Sequence, residues 1–394
     1  MIKTQEELLE IIKTKYSKVK VPKNIKIKNN LEWEIVKKLN EDQNRLVEKI
    51  ISALKIKLQE NPIFIFLSEK QIIAEDNKIV GEKIKIYTQN QNINTHSQPI
   101  ENIIREYSKC LNIKLGNNDT ILLISSEGEN EENKNSQNDE YVFIPNSLKI
   151  EIERGSYARI FKVCIDEAKI WNISSTDILV RENSKLELFS FEQTGEKTRF
   201  FERTKISIDK ESEIKEANIW SGDGKGYLIK DIILDGEESS AYDYHIISSN
   251  NSKNLEVIHN MEHKGEKTKG EVMVRILARD KSQTIFLQNA KIDSQAKWSD
   301  SFIEGKAINL SDEAKVFLTP SMYIDTNIVS AKHSASVAKV GENELFYLTS
   351  RGMEPHLAEK IIIEGFFYEV ATKMQDIADI ENIIPKLLYH HQVL

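Results

Sequence analysis

Glu153-Arg-Gly-Ser156-Tyr-Ala-Arg-Ile160, Arg181-Glu-Asn-Ser184-Lys-Leu-Glu-Leu188, Asp209-Lys-Glu-Ser212-Glu-Ile-Lys-Glu216 and Glu237-Glu-Ser-Ser240-Ala-Tyr-Asp-Tyr244 share one plan: a charged stretch, a serine, then an alternating segment. The four serines recur at a constant spacing of 28 residues. A fixed period of polar turn followed by strand means one structural unit stacked on itself, and a β-solenoid is the reading it favours. Leucine-rich repeats share the length range, but their L-x-x-L-x-L core is missing. A sandwich with regular hairpins stays open as the alternative. Asp280-Lys-Ser282-Gln-Thr-Ile-Phe286 and Asp312-Glu-Ala314-Lys-Val-Phe317 read as later copies at irregular spacing.

The surroundings fit. Prolines stand at 22, 62, 99, 145, 320, 355 and 385, so 146–319 contains none. Proline removes a ladder donor, and its absence suits continuous sheet. The segments Lys185-Leu-Glu-Leu-Phe189 and Glu271-Val-Met-Val-Arg-Ile276 alternate as strands do. Before this stretch, Glu127 to Asp139 holds no apolar residue and reads as a flexible loop or boundary. The part N-terminal to it is mixed α/β. Thr4 to Glu7 forms a capping box that opens a helix. Leu46, Val47, Ile50, Ile51, Leu54 and Leu58 follow helical spacing, and a third helix is expected from Pro99, carrying Cys110 and Leu111. Ile63 to Leu67 and Ile121 to Ile124 suit buried strands. After Tyr347 helical texture returns: Ala358, Ile362, Phe366 and Val370 lie four apart, with Ile361, Ile363 and Phe367 widening the stripe. A last short helix is expected within Ile383 to Tyr389. The divisions read as 1–139, 140–348 and 349–394.

The bulk composition narrows the function. The 394 residues suit two or three units, or one built from repeats. A net charge of −8 disfavours phosphate backbones and anionic lipid. No run reaches the roughly 18 apolar residues of a membrane span. The opening Met1-Ile-Lys-Thr-Gln-Glu-Glu lacks an apolar signal core, so a cytoplasmic protein is expected. Two cysteines, Cys110 and Cys164, make no disulfide framework and cannot supply the four thiolates of an ordinary iron–sulfur cluster. Both are read as buried, inert thiols. No P-loop, G-x-S-x-G or metal-ligand run occurs.

The segments Asn309-Leu-Ser-Asp-Glu-Ala-Lys-Val-Phe-Leu-Thr-Pro-Ser-Met-Tyr-Ile324, Ala331-Lys-His-Ser-Ala335 and Val340-Gly-Glu-Asn-Glu-Leu-Phe-Tyr-Leu-Thr-Ser-Arg-Gly-Met353 resemble, in order and spacing, the C-terminal part of the SufB/SufD family. Weaker similarity continues upstream at Val257-Ile-His259, Gly270-Glu-Val-Met-Val274, Lys291 to Ala307 and Tyr141-Val-Phe-Ile-Pro145. The resemblance implies a mainly β chain, a right-handed parallel β-helix with an α/β N-terminal domain and C-terminal helices. It also implies a non-enzymatic scaffold of the SUF iron–sulfur cluster assembly complex. Such members pair through the end of the β-helix, as SufB with SufD or as homodimers, and dock a SufC-type ATPase on their C-terminal helices. The cofactor implied is a transient iron–sulfur cluster at the shared interface, with none tightly bound to the chain alone.

His333 falls on the histidine that SufD members contribute to that interface. It is the expected cluster-assembly and metal-contacting residue, with further ligands coming from a partner. The cysteine common two positions earlier in SufD is Ala331 here, and the glutamate that follows the histidine in SufB is Ser334, so the chain resembles SufD more closely. Ile361, Ile362, Phe366 and Phe367 are the residues expected to meet the ATPase. His259 and His263 read as structural, since strand and turn context would not set them on one helical face, and His390 and His391 read as adventitious chelators. Two other classes remain open. One is a β-solenoid interaction protein without cluster chemistry. The other is a polysaccharide-active β-helix enzyme, for which Asp223, Asp231 and Asp235 are the carboxylates at hand.

Overall fold

In this computed structural model the described residues are 25–27, 32–36, 41–54, 62–68, 78–80, 84–89, 110–127, 141–166, 169–380 and 383–388. Two sheets carry most of them. Stacked in order, the first holds β4 (Lys78–Val80), β5 (Ile84–Gln89), β6 (Cys110–Leu115), β8 (Tyr141–Ile152), β10 (Ile170–Val180), β12 (Arg199–Ile208), β14 (Lys225–Leu234), β16 (Asn254–His263), β18 (Gln283–Ile292) and β20 (Lys315–Ile324), with β1 (Ile25–Ile27) beside β8. The second holds β2 (Glu32–Val36), β3 (Ile63–Ser68), β7 (Asp119–Glu127), β9 (Tyr157–Asp166), β11 (Lys185–Thr194), β13 (Glu213–Gly222), β15 (Ser240–Ser249), β17 (Lys269–Ala278), β19 (Ser299–Asn309) and β21 (Val329–Lys339). From β6 onward successive strands alternate between the sheets, and every pairing among β6 to β21 is parallel. The chain is therefore a parallel β-solenoid, as expected, and the hairpin sandwich is excluded because hairpins pair antiparallel.

The turns explain the repeat. Ser184 Oγ donates to the Glu153 carbonyl at 2.8 Å and Ser212 Oγ to the Arg181 carbonyl at 2.6 Å. In the other direction, the Ser184 amide donates to Ser212 Oγ at 3.2 Å. Each serine thus ties its turn to the neighbouring turns. The fourth copy differs from expectation: Ser239, fully buried, takes the column position, and Ser240 opens β15 opposite Glu213. Thr268 and Ser299 continue the column, their hydroxyls 2.7 Å apart. The residue before each member, Gly155, Asn183, Glu211, Glu238, Lys267 and Trp298, has positive φ. Only two of these six are residue types that favour this conformation. The turns around Asp280 and Asp312 are not later copies of this corner. They lead into β18 and β20 and belong to the opposite edge. Where turns stack closest a side chain has no room: a Cβ on Gly265 would lie 2.3 Å from the Gly236 carbonyl oxygen. Gly265→Ala is expected to destabilise by about 1–3 kcal/mol in a urea melt, through forced backbone shifts.

Burial differs between the sheets for a physical reason. Strands β14 and β16 alternate buried and part-exposed residues, one face inward and one toward solvent. In β11, β13, β15 and β17 most of the run is buried. Helices α1 (Glu41–Leu54), α3 (Pro355–Met374) and α4 (Ile384–Leu388) cover that sheet's outer face, packing Val47, Ile50, Phe367 and Val370 on Phe161, Phe189, Phe191 and Tyr244. Helix α2 (Glu342–Ser350) links the last strand to α3, whose Pro355 sits in its first turn, where a missing N–H costs nothing.

Several boundaries move. Strands β6 and β7, expected in the N-terminal unit, stack in parallel on β8 and β9, so the solenoid already runs through 110–127. The expected third helix does not include Cys110 and Leu111. Both lie in β6, where Leu111, Ile113 and Leu115 fill the space between the sheets. Inter-sheet burial overrides the helical spacing there. The final helical part begins at Glu342 rather than 349. The capping box at Thr4, the stretch 99–109 and the polar run 128–139 lie outside the described residues. No helix among the described residues is long and apolar enough to cross a membrane.

Candidate functional site

The solenoid does not close at its C-terminal end. β20 and β21 are the last strands of their sheets, and each has a neighbour on one side only. Their outer N–H and C=O groups present a template for further pairing. Apolar side chains are left out of the core here: Phe317 is 51% exposed, Tyr323 64%, and Val337 45%. Phe346 and Tyr347 on α2 are exposed as well.

His333 is exposed on β21, opposite Ile303 in register. Residues opposite one another in a parallel pair share a face. Ala331, His333 and Ala335 therefore continue the column of Ser301, Ile303 and Gly305, at the mouth of the solenoid interior. Of the four residues expected to meet an ATPase, Ile361 is exposed and Ile362 half-buried. Phe366 is half-buried with the Arg275 guanidinium 5.8 Å from its ring centre. Phe367 must be corrected: it is fully buried and faces the sheet, so it holds the helix rather than a partner. Arg275 clamps the same helix, donating at 2.7 Å to both Glu304 and Glu369.

A second feature lies inside. The inward columns turn polar in the middle turns. One reads Ile160, Leu188, Glu216, Asp243, Val272, Ile303, His333, and the next Lys162, Ser190, Asn218, His245, Val274, Gly305, Ala335. Lys162 Nζ meets Glu202 at 2.6 Å and Glu192 at 3.1 Å. Lys230 Nζ meets Glu216 at 2.7 Å and Asp243 at 2.9 Å. Asp243 also takes a hydrogen bond from Asn218 at 2.7 Å and lies 2.8 Å from His259 Nε2. A cavity of about 50 Å³ runs past Lys162, Glu202, Glu216, Lys230 and His245. A smaller one of about 20 Å³ borders Cys164, Asp166, Asn172 and Glu192.

Burial and neighbours set the charges. Burial pushes Glu192 up to about 8, against the pull of Lys162. Burial opposes Glu202 too, but Lys162 and the bond to Glu192 outweigh it and lower its carboxyl. Burial and the charge of Asp243 push Glu216 up to about 8. Burial works against the Asp243 anion, yet His245 and Lys230 hold it well below the usual range. Burial lowers His245 and raises the Cys164 thiol, which donates to Asp166 at 3.1 Å. Cys164 is thus buried and protonated, as expected. His259 and His263 are both buried, in keeping with their structural reading, but His259 belongs to a charged group that the sequence did not reveal. The cross-sheet partners in this group lie on the next strand, 14 residues from Glu216 to Lys230 and 16 from Asp243 to His259, outside any local pattern. The one signal available was charge at inward positions of strands, as at Lys230 and Asp243.

A model of the SUF system FeS cluster assembly SufBD core domain matches residues 134–366. The chain is 24% identical over 165 residues to the chloroplastic iron–sulfur cluster assembly SufBD family protein of Arabidopsis thaliana, covering 42% of this chain and 30% of that one. It is 31% identical over 112 residues to the iron–sulfur cluster assembly protein SufD of Bacillus subtilis, covering 28% and 26%. Over 195 residues it is 25% identical to a SufBD family protein of Pyrococcus horikoshii, covering 50% and 43%. The matched segments span less than half the length of each of these relatives. The core-domain match takes in more than half of the chain and every solenoid turn from β8 to β21, and with it the protein belongs to the SufB/SufD family of SUF iron–sulfur cluster assembly proteins.

Proposed function

We propose that the chain is a SufD-like scaffold subunit, itself without enzymatic activity, that works in the cytoplasm. It pairs through the open β20/β21 end with a SufB-type subunit or a second copy of itself. It shelters a transient iron–sulfur cluster at the shared interface and docks a SufC-type ATPase on its C-terminal helices. One observation carries this reading: both sheets stop at exposed edge strands beside apolar side chains, so the solenoid is built to be continued. The SufD identity of the Bacillus relative supports the subtype. His333 enters the shared interface because it stands on the inward column at that mouth, flanked by Ala331 and Ala335, which leave room beside the imidazole. A neutral imidazole can ligate iron or hold a proton near neutral pH.

The test co-expresses the chain with a SufB-type subunit and a SufC-type ATPase and measures iron and acid-labile sulfide in the isolated complex. His333→Gln is expected to keep the fold and the complex while lowering cluster content roughly tenfold or more. Wild-type cluster content in an intact variant complex would show that His333 is only a strand residue.

A further inference from the structure

Scaffold pairing leaves the chemistry of the interior unused. Asp243 and His245, two apart on β15, both point inward. His259 reaches them from β16 in the facing sheet. One carboxylate oxygen and two imidazole nitrogens lie within 4.8 Å of one another. The two rings stand at 90°, centres 5.8 Å apart. His259 Nε2 is 2.8 Å from Asp243 Oδ2, and His245 Nε2 is 3.1 Å from Oδ1. His245 is nonetheless out of line for a hydrogen bond. Its Nδ1 has no hydrogen-bond partner and its Nε2 has only this off-line contact, although the residue is only 2% exposed. Leaving such a group unsatisfied costs about 1–3 kcal/mol, so an imidazole placed here only for packing is a poor choice. Asn218 fixes the carboxylate from behind, as outer partners of metal ligands do. The cavity that borders His245 and Lys230 gives room for further ligands such as water.

We infer that Asp243, His245 and His259 bind a single divalent transition-metal ion of nitrogen–oxygen preference, Fe(II) or Zn(II), inside the solenoid. Two imidazoles and one carboxylate suit such ions and leave coordination positions open. Ligand atoms around a tetrahedral ion lie roughly 3.3 Å apart at bond lengths of about 2.0–2.2 Å. The two carboxylate–imidazole contacts of 2.8 and 3.1 Å are a little shorter than that, and the whole set lies within 4.8 Å, so binding needs side-chain adjustment within the group. Lys230 is the competitor. It holds Asp243 at 2.9 Å and Glu216 at 2.7 Å, supplying the positive charge when no ion is bound. When the ion binds, Lys230 retains Glu216 and gives up Asp243. Without Lys230, two carboxylates and two neutral imidazoles would balance the double charge of the ion. The site needs no thiolate, so it does not involve the two cysteines.

Full-length chain with His390→Ala and His391→Ala is titrated anaerobically with Co(II), which reports on nitrogen–oxygen ligation through its visible bands and on affinity by calorimetry. We expect one Co(II) per chain and slow loss to chelator, consistent with a buried site. His245→Gln and His259→Gln should each weaken binding roughly tenfold or more. Lys230→Met should tighten it by a similar factor, or, where the metal-free variant is unstable, Co(II) should restore its fold. A structural role for the triad predicts the opposite for Lys230→Met, since nothing then replaces the lost cation. The inference is overturned if the wild-type chain takes up no stoichiometric Co(II), or if folded His245→Gln binds it as tightly as wild type. Lys230→Met that binds no better than wild type and is not rescued by Co(II) also overturns it.

Discussion

Lys162→Met is expected to cost the solenoid about 3–5 kcal/mol, the range for removing one partner from a buried ion group. Among the described residues, Lys162 is the cation that both Glu192 and Glu202 meet, and it lines both interior cavities. Without it, two largely buried carboxyls face each other with no cation between them. The loss should depend on pH, and its sign follows from the shifts. In the native chain Glu202 lies below its ordinary value of 4.5, so it adds stability above that pH and loses it as pH falls. Glu192 is already pushed up to about 8 in the native chain; in the variant Glu202 is pushed up as well, and the folded state must shed an additional proton that it binds more tightly than the unfolded chain. The deficit should therefore be small near pH 5 and grow toward pH 8. Urea melts at the two pH values check this. Adding Glu192→Gln and Glu202→Gln should return much of the loss, because the site then holds no charge to strand. A deficit below 1 kcal/mol that is flat with pH would mean that the interior is wetter than the cavities imply.

Phe367→Ala is expected to cost about 3–5 kcal/mol at the seat of α3, the range for deleting a fully buried aromatic ring. The loss should be local. Hydrogen exchange should accelerate in α3 and α4 while the strands of the solenoid stay protected, since a helix laid on a sheet opens more readily than the ladder beneath it. Equal acceleration in β11 and β13 would show that helix and solenoid unfold as one unit. Ile361→Asp separates holding from docking. Ile361 is exposed, so stability should change by no more than about 0.5 kcal/mol. If the ATPase docks on this face, the complex is lost. A folded Ile361→Asp chain that keeps its ATPase places docking elsewhere, with the exposed Phe346 and Tyr347 of α2 next in line.

The sequence showed most where a side chain's job is local. The serine column was legible because each hydroxyl satisfies a turn carbonyl one rung away, and the same turn needs the same residue every time. The slip at Ser239 was not legible, because two serines stand together and only the pairing of Ser240 with Glu213 fixes which one turns. The stripe of α3 was visible as a stripe, but its direction was not. Phe366 and Phe367 are neighbours in sequence, and only the sheet beneath decides that Phe367 is core and Phe366 lies half-buried beside Arg275.

By itself, then, the sequence determined the solenoid, its period, the covering C-terminal helix and the strand that carries His333, because periodic burial and turn chemistry are written into consecutive residues. The tertiary structure alone decided the interior. Cys110 became a strand residue because the opposite sheet buries Leu111 and Ile113. Asp243, His245 and His259 became one charged group because β15 and β16 face each other across the core, and Glu216 and Lys230 joined it from the preceding turn. Coiling and stacking bring together residues half a turn or more apart, and no pattern along the chain records which inward side chains will share a rung.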